Sequence, residues 1–506
     1  MVSTPDVSEP ATATGAAMRR PANRHGFGPL LLRLHFYAGL LVAPFILVAA
    51  ITGLMFTMAP TLDRIVYSDE LVVTGPGGTP TPLAQQVAAA RAAHPDGDLI
   101  GVRVGEGEAT TQVDFSSPQL SEASEKVHTV YVDPYTAEVT GQLTTWANAT
   151  PLNTWLDQFH RDLHLGKPGE LYSEFAASWL WILALGGVVL WWRRQRGNRT
   201  AKRLLTPDLA AKKGVRRTRS WHATLGVWLL AGLLVLSATG LTWSGYAGAN
   251  FSAAVDAIKG SRPAVNTALA GTAPAGTAAH HDDTGAGTAV DVAAVDTVLA
   301  GARAAGLDGP VQINPPEDAA TAWKVTQNDS LWPVRSDSVA VDTTGQVTDR
   351  VDFADWPVPA KLTSWGINAH MGLLFGPANQ IILAALAIGL ITVIVWGYRM
   401  WWQRRPTRAD RRAAVGAPPA RGAWQQLPPW GIVVGVPAVI ALGFALPLFG
   451  IPLLAFLALD LITGAVRGLR KPPEAPVSPA PCRQLTREGC HQVVKPARLD
   501  HGPAPR

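Results

Sequence analysis

Residues 35–53, HFYAGLLVAPFILVAAITG, return at 222–240 as HATLGVWLLAGLLVLSATG. Both keep the spacing H-x3-G-x12-T-G, so His35, Gly39, Thr52 and Gly53 correspond to His222, Gly226, Thr239 and Gly240. A second pair of segments also matches. Leu152-Asn153-Thr154-Trp155 leads to His160, Leu163, Gly166 and Trp191-Trp192, and Leu362-Thr363-Ser364-Trp365 leads to His370, Leu373, Gly376 and Trp401-Trp402. The chain therefore reads as an internal duplication in parallel. Four equivalent histidines stand at the edges of apolar segments, a pattern that suits two metal centres stacked across a bilayer.

The 506 residues are 47% hydrophobic and only 16% charged, which makes membrane insertion the first expectation. Apolar runs long enough to cross hydrocarbon occur at 38–59, 171–192, 223–246 and 378–401. The run 431–466 is too long for one ordinary span and is broken by Pro447, Gly450 and Pro452; it reads as a helical hairpin, with one kinked element as the alternative. Six spans result. The loop 193–219 holds eleven Lys/Arg and one acid, and 399–421 holds seven Arg and one acid, whereas 61–170 and 248–369 are acid-rich. Basic flanks stay in the cytoplasm, which puts both termini inside and the two large segments outside. The net charge of +5 is thereby a topology signal, and nucleic-acid binding is not implied.

The expected organisation is a disordered cytoplasmic N-terminus (1–29), a first span (30–59), an external unit (60–170), a second span (171–192), a basic loop (193–220) and a third span (221–246). A second external unit (247–370), a fourth span (371–402), a basic loop (403–429), the hairpin (430–466) and a cytoplasmic tail (467–506) follow. Each external unit shows a helix followed by a small antiparallel sheet. In the first, helical periodicity at 83–93 precedes alternating stretches at 100–104, 111–115 and 127–132 and a turn at Asp133-Pro134. In the second, helix 292–304 precedes strands near 311–313, 322–326 and 338–341, with a turn at 342–345 before 346–351. The fold class is thus a membrane all-α bundle with two extracytoplasmic α+β units. Residues 266–289 read as a flexible linker; its His280-His281-Asp282-Asp283 lacks fixed metal geometry. Cys482 and Cys490 read as free thiols of the tail, and Asp460 must lie near the inner surface or against a polar partner.

These features resemble the PepSY-associated transmembrane proteins, which include iron-regulated membrane proteins and ferric-siderophore reductases of bacterial inner membranes. The resemblance rests on Arg33-Leu34-His35 with Thr52-Gly53, on Phe159-His160-Arg161-Asp162-Leu163 with Gly166, on Trp221-His222 with Thr239-Gly240, on His370-Met371-Gly372, and on the two external units, which are similar to PepSY domains. It implies b-type haem in the spans and reduction of a ferric siderophore outside. Haem iron in electron transfer takes two axial ligands from opposite faces, so the ligands should come from different helices. If the halves are related by an axis along the membrane normal, His35 faces His222 near the cytoplasmic side, and His160 faces His370 at the external ends of the second and fourth spans. Two haems would follow.

His164 lies four residues after His160 and would share its helix face, so either could be the ligand; alignment of the halves favours His160, because Leu374 is the counterpart of His164. Arg33 and Arg161 are candidate partners of haem propionates, although positive-inside flanking explains Arg33 equally well. Trp191-Trp192 and Trp401-Trp402 read as interfacial belt residues. His94 and His128 fall inside the first external unit, where a core or surface role is the default. No dinucleotide or phosphate-loop motif is visible, so electrons must come from a cytoplasmic flavoprotein reductase, a membrane quinol or another subunit. The competing reading is a non-enzymatic membrane protein whose PepSY-like units bind peptides or restrain a protease, with purely structural histidines.

Overall fold

The computed structural model describes residues 27–73, 75, 77–117, 119–120, 125–196, 202–269, 291–329, 331–332, 334–403 and 429–469. The N-terminal stretch 1–26, residues 280–283, the tail cysteines, most of the second basic loop and the side chain of Asp460 lie outside them.

The first apolar run is two helices, α1 (Gly28–Leu41) and α2 (Ala43–Phe56), bent by 57°. One uninterrupted span was the expectation, and Pro44 overturns it. Proline has no N–H, so the Leu40 carbonyl four residues earlier loses its helical donor. The Tyr398 hydroxyl donates to that carbonyl instead, at 3.0 Å. Short helices α3 (Ala59–Val66) and α4 (Ser68–Leu71) then lead to α5 (Leu83–Ala93). Strands β1 (Leu99–Val104), β2 (Thr111–Phe115), β3 (Lys126–Val132) and β4 (Val139–Trp146) follow, then α6 (Pro151–Asp162) and the long α7 (Lys167–Gln195).

After the small α8 (Lys202–Leu205), more helices and four further strands follow. The order is α9 (Val215–Thr242), α10 (Tyr246–Ala257), α11 (Ala294–Ala304), β5 (Val311–Asn314), β6 (Trp323–Gln327), β7 (Ser338–Val341), β8 (Val347–Val351), α12 (Val358–His370) and α13 (Pro377–Gln403). The chain ends in α14 (Pro429–Ala445) and α15 (Pro447–Leu469).

Among the described residues, α7, α9 and α13 are long and apolar enough to cross a membrane, and α1 with α2 makes a fourth span if the bent pair counts as one. Helix α9 packs on both α7 and α13, while α2 packs on α13 and α7. The α9–α13 contact is reciprocal. Gly232 lies under Leu386, and Gly389 lies under Leu229; a methyl group at either glycine would meet leucine carbons at 2.5–2.9 Å. Small residues opposite large ones bring the two backbones close, which in lipid is the main source of helix attraction. Helices α14 and α15 are shorter. The chain reverses between them, where Gly443 and Gly450 pass backbone to backbone. Trp179 of α7 donates to the Leu448 carbonyl and Asn250 of α10 to those of Phe444 and Ala445, which fixes the tip of this turn. Residues from Ala458 onward form a separate unit.

The two sheet units do not stand apart. Their strands form one eight-stranded antiparallel sheet in the order β4-β3-β2-β1-β5-β6-β7-β8. Its seam is the pairing of β1 with β5, Val102 opposite Ile313 and Val104 opposite Val311. Helices α5 and α11 contact each other. They share one core with Val102, Val113, Val130, Ile313, Val325 and Val339, all fully buried. Asp296 of α11 also reaches across the seam and accepts from the first backbone N–H groups of α5, Leu83 at 2.6 Å and Ala84 at 3.2 Å. Those donors have no partner within their own helix. Asp296→Ala should therefore cost about 0.5–2 kcal/mol. The thermal midpoint of the detergent-solubilised chain would report it; an unchanged midpoint would reject the cap.

The other sheet face, in the first half, carries a buried polar network. Arg103 pairs with Asp114 at 2.7 Å, with side chains 9% and 5% exposed. The Thr129 hydroxyl lies 2.6 Å from the same carboxylate and 2.7 Å from Thr145. Beyond it, Asp63 of α3 accepts from Thr150 at 2.6 Å and from Asn153 at 2.9 Å, which ties α3 to the start of α6. Burial in this layer raises the Tyr131 hydroxyl pKa well above its ordinary value. Helix α6, tied down in this way, carries His160.

Candidate functional site

Four histidines fall into two groups. His160 lies near the end of α6, and His370 is the last residue of α12. Both helices are short and stop before the spans, so neither histidine sits on a span end as expected. The reason is local backbone. Leu163, His164 and Gly166 take left-handed conformations after α6, and Gly372, Phe375 and Gly376 do so after α12. Each turn lets the chain leave the short helix and start the next one at a proline-bearing N-terminus.

The two rings face one another with centroids 6.3 Å apart and planes at 39°. Phe56 stacks parallel to His160 at 6.2 Å, and Trp243 meets His370 edge-on at 5.8 Å. Threonine hydroxyls hold both rings by Nδ1: Thr52 lies 3.0 Å from His160, and Thr239 lies 2.6 Å from His370. Gly53 leaves room for the first ring, since a methyl group there would sit 3.0 Å from His160 Cε1. The Thr-Gly part of the repeated motif thus serves a histidine far away in sequence.

His35 and His222 lie at the other end of the bundle. Each packs on the later span of its own half, at equivalent positions. A methyl group on Gly187 of α7 would lie 3.0 Å from His35 Cε1, and one on Gly397 of α13 would lie 3.7 Å from His222 Cε1. His222 Nδ1 is 2.9 Å from the Val393 carbonyl. A carbonyl only accepts, so that nitrogen carries the proton and Nε2 keeps a free lone pair. His35 Nδ1 is buried with no acceptor in hydrogen-bond geometry, although the Leu183 carbonyl, the counterpart of Val393, acts on the ring. His35 and His222 also interact electrostatically.

These groups can be tested against haem. Two imidazoles bound through nitrogen at about 2 Å on opposite sides of one metal ion place their ring centres roughly 6 Å apart. The His160–His370 separation of 6.3 Å fits that spacing. Gly39 and Gly226 follow the other histidines by one helical turn, and nothing lies within 4 Å of a methyl group built on either. The helix surface is therefore open at the glycine one turn after each of these histidines. From His222 to Thr239 is about 25 Å along straight α9, nearly the thickness of a bilayer core.

Other expected site residues are placed differently. His164 is not on the helix of His160: its left-handed backbone (φ 56°) sends it against Trp155 and Phe159, at 5.0 and 6.0 Å between ring centres. It is exposed and does not join His160. Arg161 lies 3.9 Å from Asp157 and 5.1 Å over the Trp146 ring, which commits it toward the sheet. Arg33 is 3% exposed, with its guanidinium 5.7 Å over Tyr37, two residues from His35. His94 and His128 pack together at 5.0 Å in the sheet domain, and burial with the neighbouring imidazole lowers the His128 pKa. The tryptophan doublets differ in use: Trp191 is buried and donates to the Leu204 carbonyl, while Trp192 and Trp402 stay 50% and 64% exposed.

Sequence reasoning missed Glu174. This carboxylate is 2% exposed and accepts from the backbone N–H groups of Tyr246 and Ala247, both at 3.0 Å, at the start of α10. No spacing signal marks it; an acid inside an apolar run was the available cue.

No curated protein matches the chain. The sequence profile of the PepSY-associated TM region matches residues 32–404, a stretch that includes all four histidines and both halves of the sheet. The chain belongs to the PepSY-associated transmembrane family.

Proposed function

We propose that this chain is a transmembrane oxidoreductase that binds two b-type haems and passes electrons from the cytoplasmic side to a ferric siderophore or related ferric chelate. It would be internally duplicated, cross the bacterial inner membrane six times, keep its basic loops and termini in the cytoplasm and hold the sheet domain outside. The observation that carries the reading is the facing pair His160 and His370, from short helices of opposite halves, at a spacing suited to one iron between them.

Bound haem supplies reversible one-electron chemistry at iron. The chain's own part is to hold and insulate. His160 and His370 would hold the haem nearest the sheet domain, and His35 and His222 would hold the one at the opposite end. The apolar residues between the two ends, Ile46, Ala50, Leu229, Leu233 and Leu390 among them, keep water out of the path. The acceptor takes one electron per Fe(III), and the product Fe(II) binds hard oxygen ligands less well, so iron is released. The donor would be a cytoplasmic flavoprotein reductase, a membrane quinol or another subunit, since no dinucleotide or phosphate-loop motif is visible in the sequence.

A pyridine haemochrome assay on protein purified from haem-replete cells tests this. Two haems per chain are expected, and both should be reduced by dithionite and reoxidised by added ferric chelate. Folded, colourless protein would sink the proposal.

A further inference from the structure

The repeated motif H-x3-G-x12-T-G contains a threonine that axial ligation by itself leaves unexplained. Both copies make the same contact. Thr52 Oγ1 lies 3.0 Å from the Val48 carbonyl, one turn back on α2, and 3.0 Å from His160 Nδ1. Thr239 Oγ1 lies 2.7 Å from the Val235 carbonyl and 2.6 Å from His370 Nδ1. A hydroxyl has a single proton and two lone pairs. The helix carbonyl can only accept, so it takes that proton. The oxygen then has only lone pairs for the imidazole, and Nδ1 must be the donor.

We propose that Thr52 and Thr239 are positioning residues that lock His160 and His370 as Nδ1–H tautomers, leave each Nε2 as the metal-binding nitrogen and strengthen it as a ligand. This rests on the haem reading above. The hydrogen bond fixes ring rotation and tautomer together, and an acceptor on the far nitrogen raises the basicity of the near one. It also gives α2 a role at the site near the sheet, while its continuation α1 carries His35 at the opposite end. Helix α9 does the same with Thr239 and His222. One apolar segment of each repeat, the bent pair α1–α2 in the first and α9 in the second, thus supports both centres.

The test uses Thr52→Val and Thr239→Val, which keep the side-chain shape and remove the hydroxyl, with Thr52→Ser and Thr239→Ser as controls that keep it. In the full-length protein, each valine variant should lose haem from the His160–His370 centre to an apomyoglobin trap about 10–100-fold faster, the range for losing an outer partner of a metal-bound histidine. A less basic ligand favours Fe(III) less. The midpoint potential of that centre should therefore rise by about 59 mV for each tenfold loss of ferric over ferrous affinity. The His35–His222 centre should not move, and the serine variants should match the parent. Valine variants that retain haem and potential would overturn the positioning role while leaving the haem reading intact. Serine variants that shift as far as valine would overturn it too, by assigning the effect to the methyl group. A parent protein without haem at this centre would remove both.

Discussion

His370→Ala is expected to reduce the haem content from two per chain to one and to abolish reduction of an external ferric chelate. Losing a mere outer partner of a metal-bound histidine costs 10–100-fold in affinity, so losing the axial nitrogen itself must exceed about 100-fold. The remaining centre, at His35 and His222, should keep its spectrum, because about 25 Å of α9 separates His222 from the Thr239 that holds His370. His160→Ala should match His370→Ala, since the two rings face each other at 6.3 Å. His164→Ala is the discriminating control: its ring rests on Trp155 and Phe159, outside the pair, and both haems should remain. Haem stoichiometry and low-temperature absorption spectra give the answer. Two intact haems in His370→Ala, or loss of one in His164→Ala, would reassign the ligands.

Arg103→Ala should produce the largest loss of stability in the sheet domain, about 3–5 kcal/mol. The substitution leaves Asp114 as an uncompensated charge at 4% exposure, still beside Thr129. The cost comes from the stranded carboxylate. Replacing both partners, Arg103→Met with Asp114→Leu, should recover most of the loss, because a buried ion pair and an apolar pair of similar size differ little in net stability. Urea-dependent proteolysis of the membrane-bound chain would measure both. A single variant as stable as the parent would mean that water reaches the pair. A double variant no better than the single would assign the loss to packing.

Local periodicity made much of this fold readable. The helix expected at 83–93 is α5, and the strands expected at 111–115 and 338–341 are β2 and β7. The repeat, taken with an axis along the membrane normal, led to the expectation that His160 faces His370, and the two ring centroids lie 6.3 Å apart. Three features were not reached. The β1–β5 seam joins residues about two hundred apart, and nothing in either strand states which edge it will meet. The bend in the first span was marked by Pro44, but hydropathy averages over a proline and reads one apolar run. His164 was assigned to a helix that ends two residues earlier, and only the left-handed backbone at Leu163 and His164 separates it from His160. The threonines were visible as motif letters; their chemistry needed the third dimension, because Thr52 and His160 are 108 positions apart.

The seam between β1 and β5 also has a consequence in time. Strand β1 is made early, and its neighbour emerges only after α6, α7, α9 and α11. At about 5–20 residues per second, ribosomes need roughly ten to forty seconds to bridge that gap. Throughout this interval the nascent chain offers a row of unsatisfied amides and carbonyls, a template for any passing extended segment. Biogenesis of this protein is thereby tied to whatever shields a half-finished sheet until its second half arrives.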